Sequence, residues 1–168
     1  MGIAEHRQKA LKSLCIGIIT LSSTRSPADD ESGNWIAAQS EKQGHAVIFH
    51  QVIPDHAESI RQMVLDTIQT HHPDVLLLSG GTGASPKDVT IEAVKPLFQK
   101  ELTAFGHLFA MLSYGEIGPG AILSRATAGI IRKTAVFCMP GSLKACRLAC
   151  EKLIFPELGH LVSHMLRG

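Results

Sequence analysis

Two uninterrupted apolar runs constrain the fold of this chain more than any other feature. "LCIGIITLS" covers Leu14–Ser22 and "DVLLLS" covers Asp74–Ser79, and neither alternates between apolar and polar residues. Runs of this kind are typical of strands that are buried on both faces, whereas a strand with one face in water alternates. The sequence therefore favours a mainly parallel sheet with helices packed against both of its sides.

Helical segments alternate with the predicted strands along the chain. A third strand is predicted at His45–Ile53, and helices are predicted at Asn34–Gly44 and His56–His72, the second with apolar residues at every fourth position. Two β-rich runs further along predict a hairpin. This order predicts an α/β fold, a three-layer α/β/α sandwich with a mainly parallel, doubly wound sheet and a small β-hairpin. We expect one domain over residues 1–168.

More helices are predicted downstream of the strand at Asp74–Ser79. Pro96 is expected to break or kink the first of them, and Ser142 is expected to cap the third. The predicted helices are Val89–Lys100, Ala104–Gly115, Leu143–Phe155 and Glu157–Gly168.

Charge and composition exclude several classes of function. The net charge of +1 gives no electrostatic basis for binding nucleic acid. No apolar stretch approaches the ~20 residues that span a membrane, and the N-terminal charged and apolar segment reads as a first strand, not a signal peptide. The four cysteines lack zinc-site spacing and are expected to be reduced thiols, which fits a cytoplasmic protein.

Several polar or glycine-rich segments follow the predicted strands directly. Because parallel strands end at one edge of a sheet, Ser22, Asp55 and the turn Gly80–Gly83 are expected to meet there. The turn reads Gly80-Gly81-Thr82-Gly83, and its backbone N–H groups can surround an anion, phosphate in particular. The pattern is neither a P-loop nor a dinucleotide fingerprint, and a purely structural turn is the alternative.

Asp88 lies five residues beyond the last glycine of this turn. A carboxylate that faces phosphate is unfavourable unless a divalent cation lies between them, and Asp55 could supply a second carboxylate to Mg²⁺. The alternatives are that Asp88 caps a helix and that Asp55 makes an ordinary turn.

Two later segments carry further candidates for anion binding. Arg125, beside Ser124, could clamp a phosphate with two hydrogen bonds, or could be a surface residue of the hairpin. "MPGSLK" places Pro140, Gly141 and Ser142 between a strand end and a helix start.

The motifs taken together resemble those of the MoaB/MogA family of molybdenum-cofactor biosynthesis proteins. The resemblance rests on "IPD", "SGGTGASPKDVT" and "LSRATAGIIRKTAVFCMPGSLKACR", and it extends from about Cys15 to about Pro156. Its final part, "MPGSLKACR", looks more like the MoaB branch than the MogA branch. The resemblance implies a Mg²⁺-dependent transfer of AMP from ATP to the terminal phosphate of molybdopterin, with adenylyl-molybdopterin and pyrophosphate as products. It also implies a trimer, or a hexamer built from trimers.

The resemblance also assigns roles to residues. Asp55 and Asp88 match the two key aspartates, which are expected to be catalytic and to position Mg²⁺. The residues matched to phosphate or nucleotide binding are Gly80, Gly81, Thr82 and Gly83, and Ser22 is added to them from its place at the same edge. The residues matched to the pterin are Ser124, Arg125, Pro140, Gly141 and Ser142.

Two residues depart from the family's pattern. His107 stands where the family usually has an acidic residue, and Ser23 stands where Asp or Asn is usual. A catalytically silent, molybdopterin-binding or scaffolding member is therefore the alternative to an active enzyme.

Overall fold

The computed structural model describes residues 13–167, which form a six-stranded sheet with helices on both sides. Residues 1–12, the charged start of the N-terminal segment, lie outside the described residues. The strands are β1 Cys15–Leu21, β2 Ala46–Ile53, β3 Val75–Ser79, β4 Lys100–Glu101, β5 Thr127–Ile131 and β6 Thr134–Met139. The α-helices are α1 Glu31–Lys42, α2 Ala57–His71, α3 Thr90–Val94, α4 Thr103–Ile117, α5 Leu143–Ala149 and α6 Phe155–Met165.

The strand order is β2-β1-β3-β6-β5-β4. The first four strands are parallel to one another, while β5 pairs antiparallel with β6 and with β4. The predicted fold class, mainly parallel sheet and hairpin are confirmed. The two-residue strand β4 was not predicted, because its residues fall at the end of an apparently helical segment.

Both faces of the sheet are buried, as the uninterrupted apolar runs predict. Ile16 and Ile18 point into one core cluster, shared with α1, α4, α5 and α6. Ile19 and Leu21 point into a second cluster on the opposite face, shared with α2 and α3. Successive side chains of a strand alternate between faces, so a strand covered on both sides needs apolar residues throughout.

Several helix boundaries differ from the predicted ones for identifiable reasons. Helix α1 begins at Glu31, earlier than predicted, because the Asp30 side chain accepts a hydrogen bond from the Gly33 N–H. Helix α3 ends at Val94 and passes into a 3-10 turn at Lys95–Leu97 that contains Pro96. Helix α4 runs past Gly115 to Ile117, and the chain leaves the helix at Gly118, where φ is +62°.

The last two predicted helices form one helical stretch. Helix α5 passes through a π-helical segment, Cys150–Ile154, directly into α6. Pro156 directly follows the π-helical segment within this stretch, and it has no N–H to donate to a carbonyl of the preceding turn. Across residues 13–167, no helix has the length and apolar character that crossing a bilayer requires.

Candidate functional site

The loops that follow the four parallel strands lie at one edge of the sheet. Ser22 follows β1, Pro54-Asp55 follows β2, the glycine turn follows β3, and Pro140 follows β6. The loops are in direct contact: the Ser22 N–H donates to the Ile53 carbonyl at 2.9 Å. This edge is the carboxyl edge at which parallel sheets bind ligands.

The glycine turn has a backbone that other residues cannot easily adopt. Gly80 has φ of +104° and Gly81 has φ of +64°. A Cβ atom on Gly80 would lie 2.3 Å from the Leu21 carbonyl oxygen. Thr90 fixes the turn from beneath, since its hydroxyl donates to the Gly80 carbonyl at 2.8 Å and its N–H donates to the Gly81 carbonyl at 2.9 Å.

Polar groups of this turn are left without protein partners. Within residues 13–167, the N–H groups of Gly81, Thr82 and Gly83 have no protein acceptor. The Thr82 hydroxyl is also unpartnered, although this residue is only 2 % exposed. Buried hydroxyl groups without a partner are rare in native structures, and an anion bound by these consecutive N–H groups would also satisfy the Thr82 hydroxyl.

Asp88 is turned back toward the glycine turn. Its carboxylate accepts a hydrogen bond from the Ser85 N–H at 2.9 Å, which closes a tight turn over Ser85–Asp88. A Cβ atom on Gly83 would lie 2.7 Å from Asp88 Oδ2. The alternative role of Asp88 as a helix cap is not observed, because helix α3 begins at Thr90 and its N-cap residue is Val89, without a side-chain cap.

Asp55 lies at the end of β2 and is held by the loop that follows β1. The Ser23 hydroxyl donates to Asp55 Oδ1. This hydrogen bond lowers the pKa of Asp55, and the charges of His56 and Lys87 lower it further. No group of three metal-binding side chains occurs among the described residues, so protein alone does not complete a metal site.

Arg125 supports the glycine turn from the side of β5. Its Nη1 donates to the Gly83 carbonyl at 2.8 Å, and its Nη2 donates to the Glu92 carboxylate. Burial alone would raise the pKa of Glu92, but the hydrogen bond and charge of Arg125 lower it. Arg125 is therefore engaged with protein atoms at both terminal nitrogens.

A cavity of about 260 Å³ lies beside this edge and contains most of the residues matched to the pterin. Ser124, Pro140 and Ser142 line it, and Phe109 and Leu148 give it an apolar base. Lys144 and Glu116 also line the cavity and form an ion pair, with Lys144 Nζ 3.5 Å from Glu116 Oε2. Neither residue was predicted from the sequence to belong to the site.

Gly141 joins this cavity to the glycine turn. A Cβ atom on Gly141 would lie 3.0 Å from the Gly80 Cα, so the two loops touch backbone to backbone. The Gly141 carbonyl accepts hydrogen bonds from Arg25 at 3.2 Å and from Ser32 at 2.8 Å. Gly141 lies between Pro140 and Ser142, which line the cavity, so the glycine turn and the cavity are adjacent.

Ser22 and His107, two further residues that the sequence singles out, lie in or near the loops around the site. The Ser22 hydroxyl accepts hydrogen bonds from the N–H groups of Thr24 and Arg25, at 3.3 and 3.1 Å, and so shapes the loop after β1. His107 and Arg125 line a second cavity of about 500 Å³, which shares Ser124 with the first.

The four cysteines are free thiols, as the sequence predicts. Cys138, Cys146 and Cys150 are buried, and Cys15 is partly buried. Burial raises the pKa of Cys146 to about 12 and raises that of the other two buried thiols well above its ordinary value. The buried thiols are therefore unreactive at neutral pH.

A buried polar group beneath the site was not predicted from the sequence. Asp30 is 0 % exposed and accepts hydrogen bonds from Thr20 and His50. The signal available in the sequence was the polar pattern "DDESG" directly before a helix, which is typical of an N-cap.

Known proteins match this chain over nearly its whole length. Residues 17–160 match a family described as a probable molybdopterin binding domain. A Bacillus subtilis relative, molybdenum cofactor biosynthesis protein B, is 46% identical over 166 residues, 98% of each chain. A Pyrococcus furiosus relative, molybdopterin adenylyltransferase, is 38% identical over 170 residues, again 98% of each chain.

A crystal structure supports the same grouping. That structure, of molybdenum cofactor biosynthesis protein B, superposes with a TM-score of 0.91 at 46% identity, covering 94% of this chain and 98% of the other. The sequence matches and the fold match point to the same family. This chain belongs to the molybdopterin-binding domain family of molybdenum cofactor biosynthesis proteins.

Proposed function

We propose that this protein transfers AMP from ATP to the terminal phosphate of molybdopterin, releasing pyrophosphate. The observation that carries the proposal is the contact between Gly141 and Gly80. It places a turn with unpartnered donors next to a cavity whose size and lining suit a pterin. Family membership and the name of the Pyrococcus furiosus relative support the same reaction.

The donor set at the edge of the sheet fits Mg²⁺. Asp55 follows β2 and Asp88 follows β3, at the same edge of the sheet with β1 between them. Within the described residues neither forms an ion pair with Lys or Arg. Mg²⁺ binds through one or two carboxylates together with substrate phosphates and water, so two carboxylates suffice. When bound, the ion would neutralise negative charge on the phosphates.

The glycine turn would hold the phosphates of ATP. The N–H groups of Gly81, Thr82 and Gly83 and the Thr82 hydroxyl are the available donors. Arg125 would act through its bond to the Gly83 carbonyl, keeping the turn in a shape that presents these donors. Donors fixed before the substrate arrives stabilise developing charge without reorganisation.

The chemistry then needs little more than alignment. An oxygen of the molybdopterin phosphate attacks the α-phosphorus of ATP, a new P–O bond forms, and the bond to the pyrophosphate leaving group breaks. Because the nucleophile already carries negative charge, no protein base is required. Placing the pterin cavity against the glycine turn would supply proximity and orientation, the largest contribution open to this site.

The cavity would take the pterin ring of molybdopterin. Phe109 and Leu148 offer an apolar surface, while Ser124 and Ser142 offer hydroxyl groups at its edge. Gly141 and Pro140 would then lie between the ring and the phosphates. A flat heterocycle with polar edges matches a lining of this mixed character.

A silent, pterin-binding member is the second candidate. His107 is the observation that favours it, since a residue that is usually acidic in the family is replaced in the second cavity. Ser23, the other departure, still contacts Asp55 through its hydroxyl. That contact argues for a retained active site.

We also propose that the chain assembles as a trimer in the cytoplasm, alone or as part of a hexamer. Large apolar side chains are exposed along α4 and the 3-10 turn after it, and we call this surface the apolar stripe: Leu108, Met111, Tyr114, Ile117, Ile122 and Leu123. An exposed patch of this kind is typical of a protein–protein contact.

The test is an incubation of the purified protein with molybdopterin, ATP and Mg²⁺. We expect adenylyl-molybdopterin and pyrophosphate in equal amounts, and no product without Mg²⁺. Tight binding of molybdopterin without any AMP transfer would favour the silent member instead.

A further inference from the structure

A fully buried carboxylate lies beneath the candidate site and has no part in the proposed chemistry. Asp30 is 0 % exposed, and its two oxygens accept three hydrogen bonds. Oδ2 accepts from the Thr20 hydroxyl at 2.7 Å and lies 2.9 Å from His50 Nε2, while Oδ1 accepts from the Gly33 N–H at 3.0 Å. A carboxylate can only accept, so the imidazole donates from Nε2.

These bonds join three separate elements under the glycine turn. Thr20 is on β1, His50 is on β2, and Asp30 caps α1. The Thr20 hydroxyl also lies 3.4 Å from the hydroxyl of Ser79, the last residue of β3. Ser79 directly precedes Gly80, and Thr20 directly precedes the Leu21 carbonyl against which Gly80 is packed.

The same carboxylate anchors the far end of the loop that follows β1. That loop touches both halves of the site, because Ser23 donates to Asp55 and Arg25 donates to the Gly141 carbonyl. Ser32, two residues beyond Asp30, donates to the same carbonyl. Moving Asp30 would therefore move the loop that holds Asp55 and Gly141.

His50 is the partner that suits a charge at this depth. Within residues 13–167, no Lys or Arg forms an ion pair with Asp30. A buried carboxylate needs all of its hydrogen bonds, since losing one leaves an unsatisfied charge. The side chain of His50 is 24% exposed, so this partner can be changed without opening the core.

We propose that Asp30 and His50 are positioning residues for the phosphate-binding turn, acting through Thr20 and Ser79. The inference rests on the proposed function, which makes this turn the holder of the ATP phosphates. A role confined to stability is the competing explanation, because Asp30 is also an N-cap.

Matched pairs of variants separate the two explanations. His50→Leu removes the donor, whereas His50→Gln keeps an N–H that can reach the carboxylate. Thr20→Val removes the hydroxyl at nearly constant shape, whereas Thr20→Ser keeps it. Each variant would be titrated with magnesium pyrophosphate in a calorimeter and assayed for adenylylation, at a temperature where circular dichroism shows it folded.

We expect His50→Leu and Thr20→Val to weaken pyrophosphate binding and to lower kcat/KM for ATP by about tenfold, the effect of losing a hydrogen bond to a charged group. His50→Gln and Thr20→Ser should stay within about threefold of wild type, since each retains its donor.

Two results would overturn the inference. In the first, His50→Leu and Thr20→Val bind pyrophosphate and turn over like wild type despite a lowered Tm. In the second, His50→Gln and Thr20→Ser lose as much binding and turnover as His50→Leu and Thr20→Val. A wild-type protein that binds pyrophosphate but transfers no AMP would overturn the proposed reaction alone, and the titrations would still decide the role of the pair.

Discussion

The Gly80 backbone is packed directly against the carbonyl oxygen of Leu21. A Cβ atom at Gly80 would lie 2.3 Å from that oxygen, and φ at Gly80 is +104°. Both features exclude a side chain at this position. The contact ties the end of β3 to the end of β1, which is where the candidate phosphate site begins.

Replacing Gly80 should therefore be costly, while replacing an unconstrained glycine should not. We expect Gly80→Ala to lower the free energy of unfolding by about 3 kcal/mol or more, from backbone strain and the close contact. Gly115 is the matched control, because it lies in helix α4 and a Cβ atom there would meet nothing within 4 Å.

Gly115→Ala should raise the free energy of unfolding by about 0.5–1 kcal/mol, as expected for Gly to Ala in a helix. Urea denaturation of both variants measures the two effects. Similar values for the two would contradict the packing described for Gly80.

Ser23 should control the ionisation of Asp55. Its hydroxyl is the main cause of the lowered pKa of Asp55, so Ser23→Ala should raise that pKa toward its ordinary value of 3.8. The ionised Asp55 stabilises the fold above the pKa of the unfolded chain, and this stability is lost as pH falls through the lower, folded pKa. In Ser23→Ala that pH-dependent contribution should shrink.

Carboxyl-carbon NMR titration of Asp55 measures the shift directly. Ser26→Ala is the control, because Ser26 donates to Asp29 instead and should leave Asp55 unchanged. An unchanged pKa in Ser23→Ala would show that the hydroxyl does not govern this carboxylate.

Arg125 is expected to act mainly through Gly83. Arg125→Lys loses the planar fork that reaches both Gly83 and Glu92, and we expect KM for ATP to rise about tenfold. Glu92→Gln keeps the Gly83 contact and should change KM by less than about threefold, because a half-exposed ion pair contributes little. Steady-state kinetics measures KM for ATP in both variants. An equal rise of KM in Arg125→Lys and Glu92→Gln would assign the effect to the ion pair with Glu92 and not to the Gly83 contact.

The apolar stripe should mediate self-association. Met111 lies at the centre of the stripe and is 62% exposed. Met111→Glu should therefore lower the mass of the assembly from three times 18.1 kDa toward the 18.1 kDa of a single chain. Leu166→Glu places the same charge on another exposed apolar residue and should leave the mass unchanged. Analytical ultracentrifugation gives the masses, and a trimeric Met111→Glu would exclude the stripe.

The fold could be predicted from the sequence because its main signal is local. Continuous apolar runs such as Leu76–Leu78 identify strands that are buried on both sides, and parallel connection then places their ends at one edge. The break at Pro96 was predicted from its ring geometry, but the start of α1 was not, since the cap by Asp30 acts through a hydrogen bond and not through periodicity.

The site was predicted in outline for a similar reason. Asp55, Asp88 and the glycine turn could be placed at one edge from topology alone. Contacts between distant loops could not, because no spacing in the sequence encodes them. The bonds from Arg125 to Gly83 and from His50 to Asp30 depend on how the loops fold over the edge.

The rate of adenylylation by Asp88→Asn tests the central claim most directly. Asp66→Asn is the control, because Asp66 is an acidic residue of helix α2 bonded to Gln62. We predict that Asp88→Asn lowers kcat by about 10²-fold or more, at least ~2.7 kcal/mol of barrier, while Asp66→Asn matches wild type. Wild-type turnover by Asp88→Asn would contradict a catalytic, cation-positioning role for Asp88.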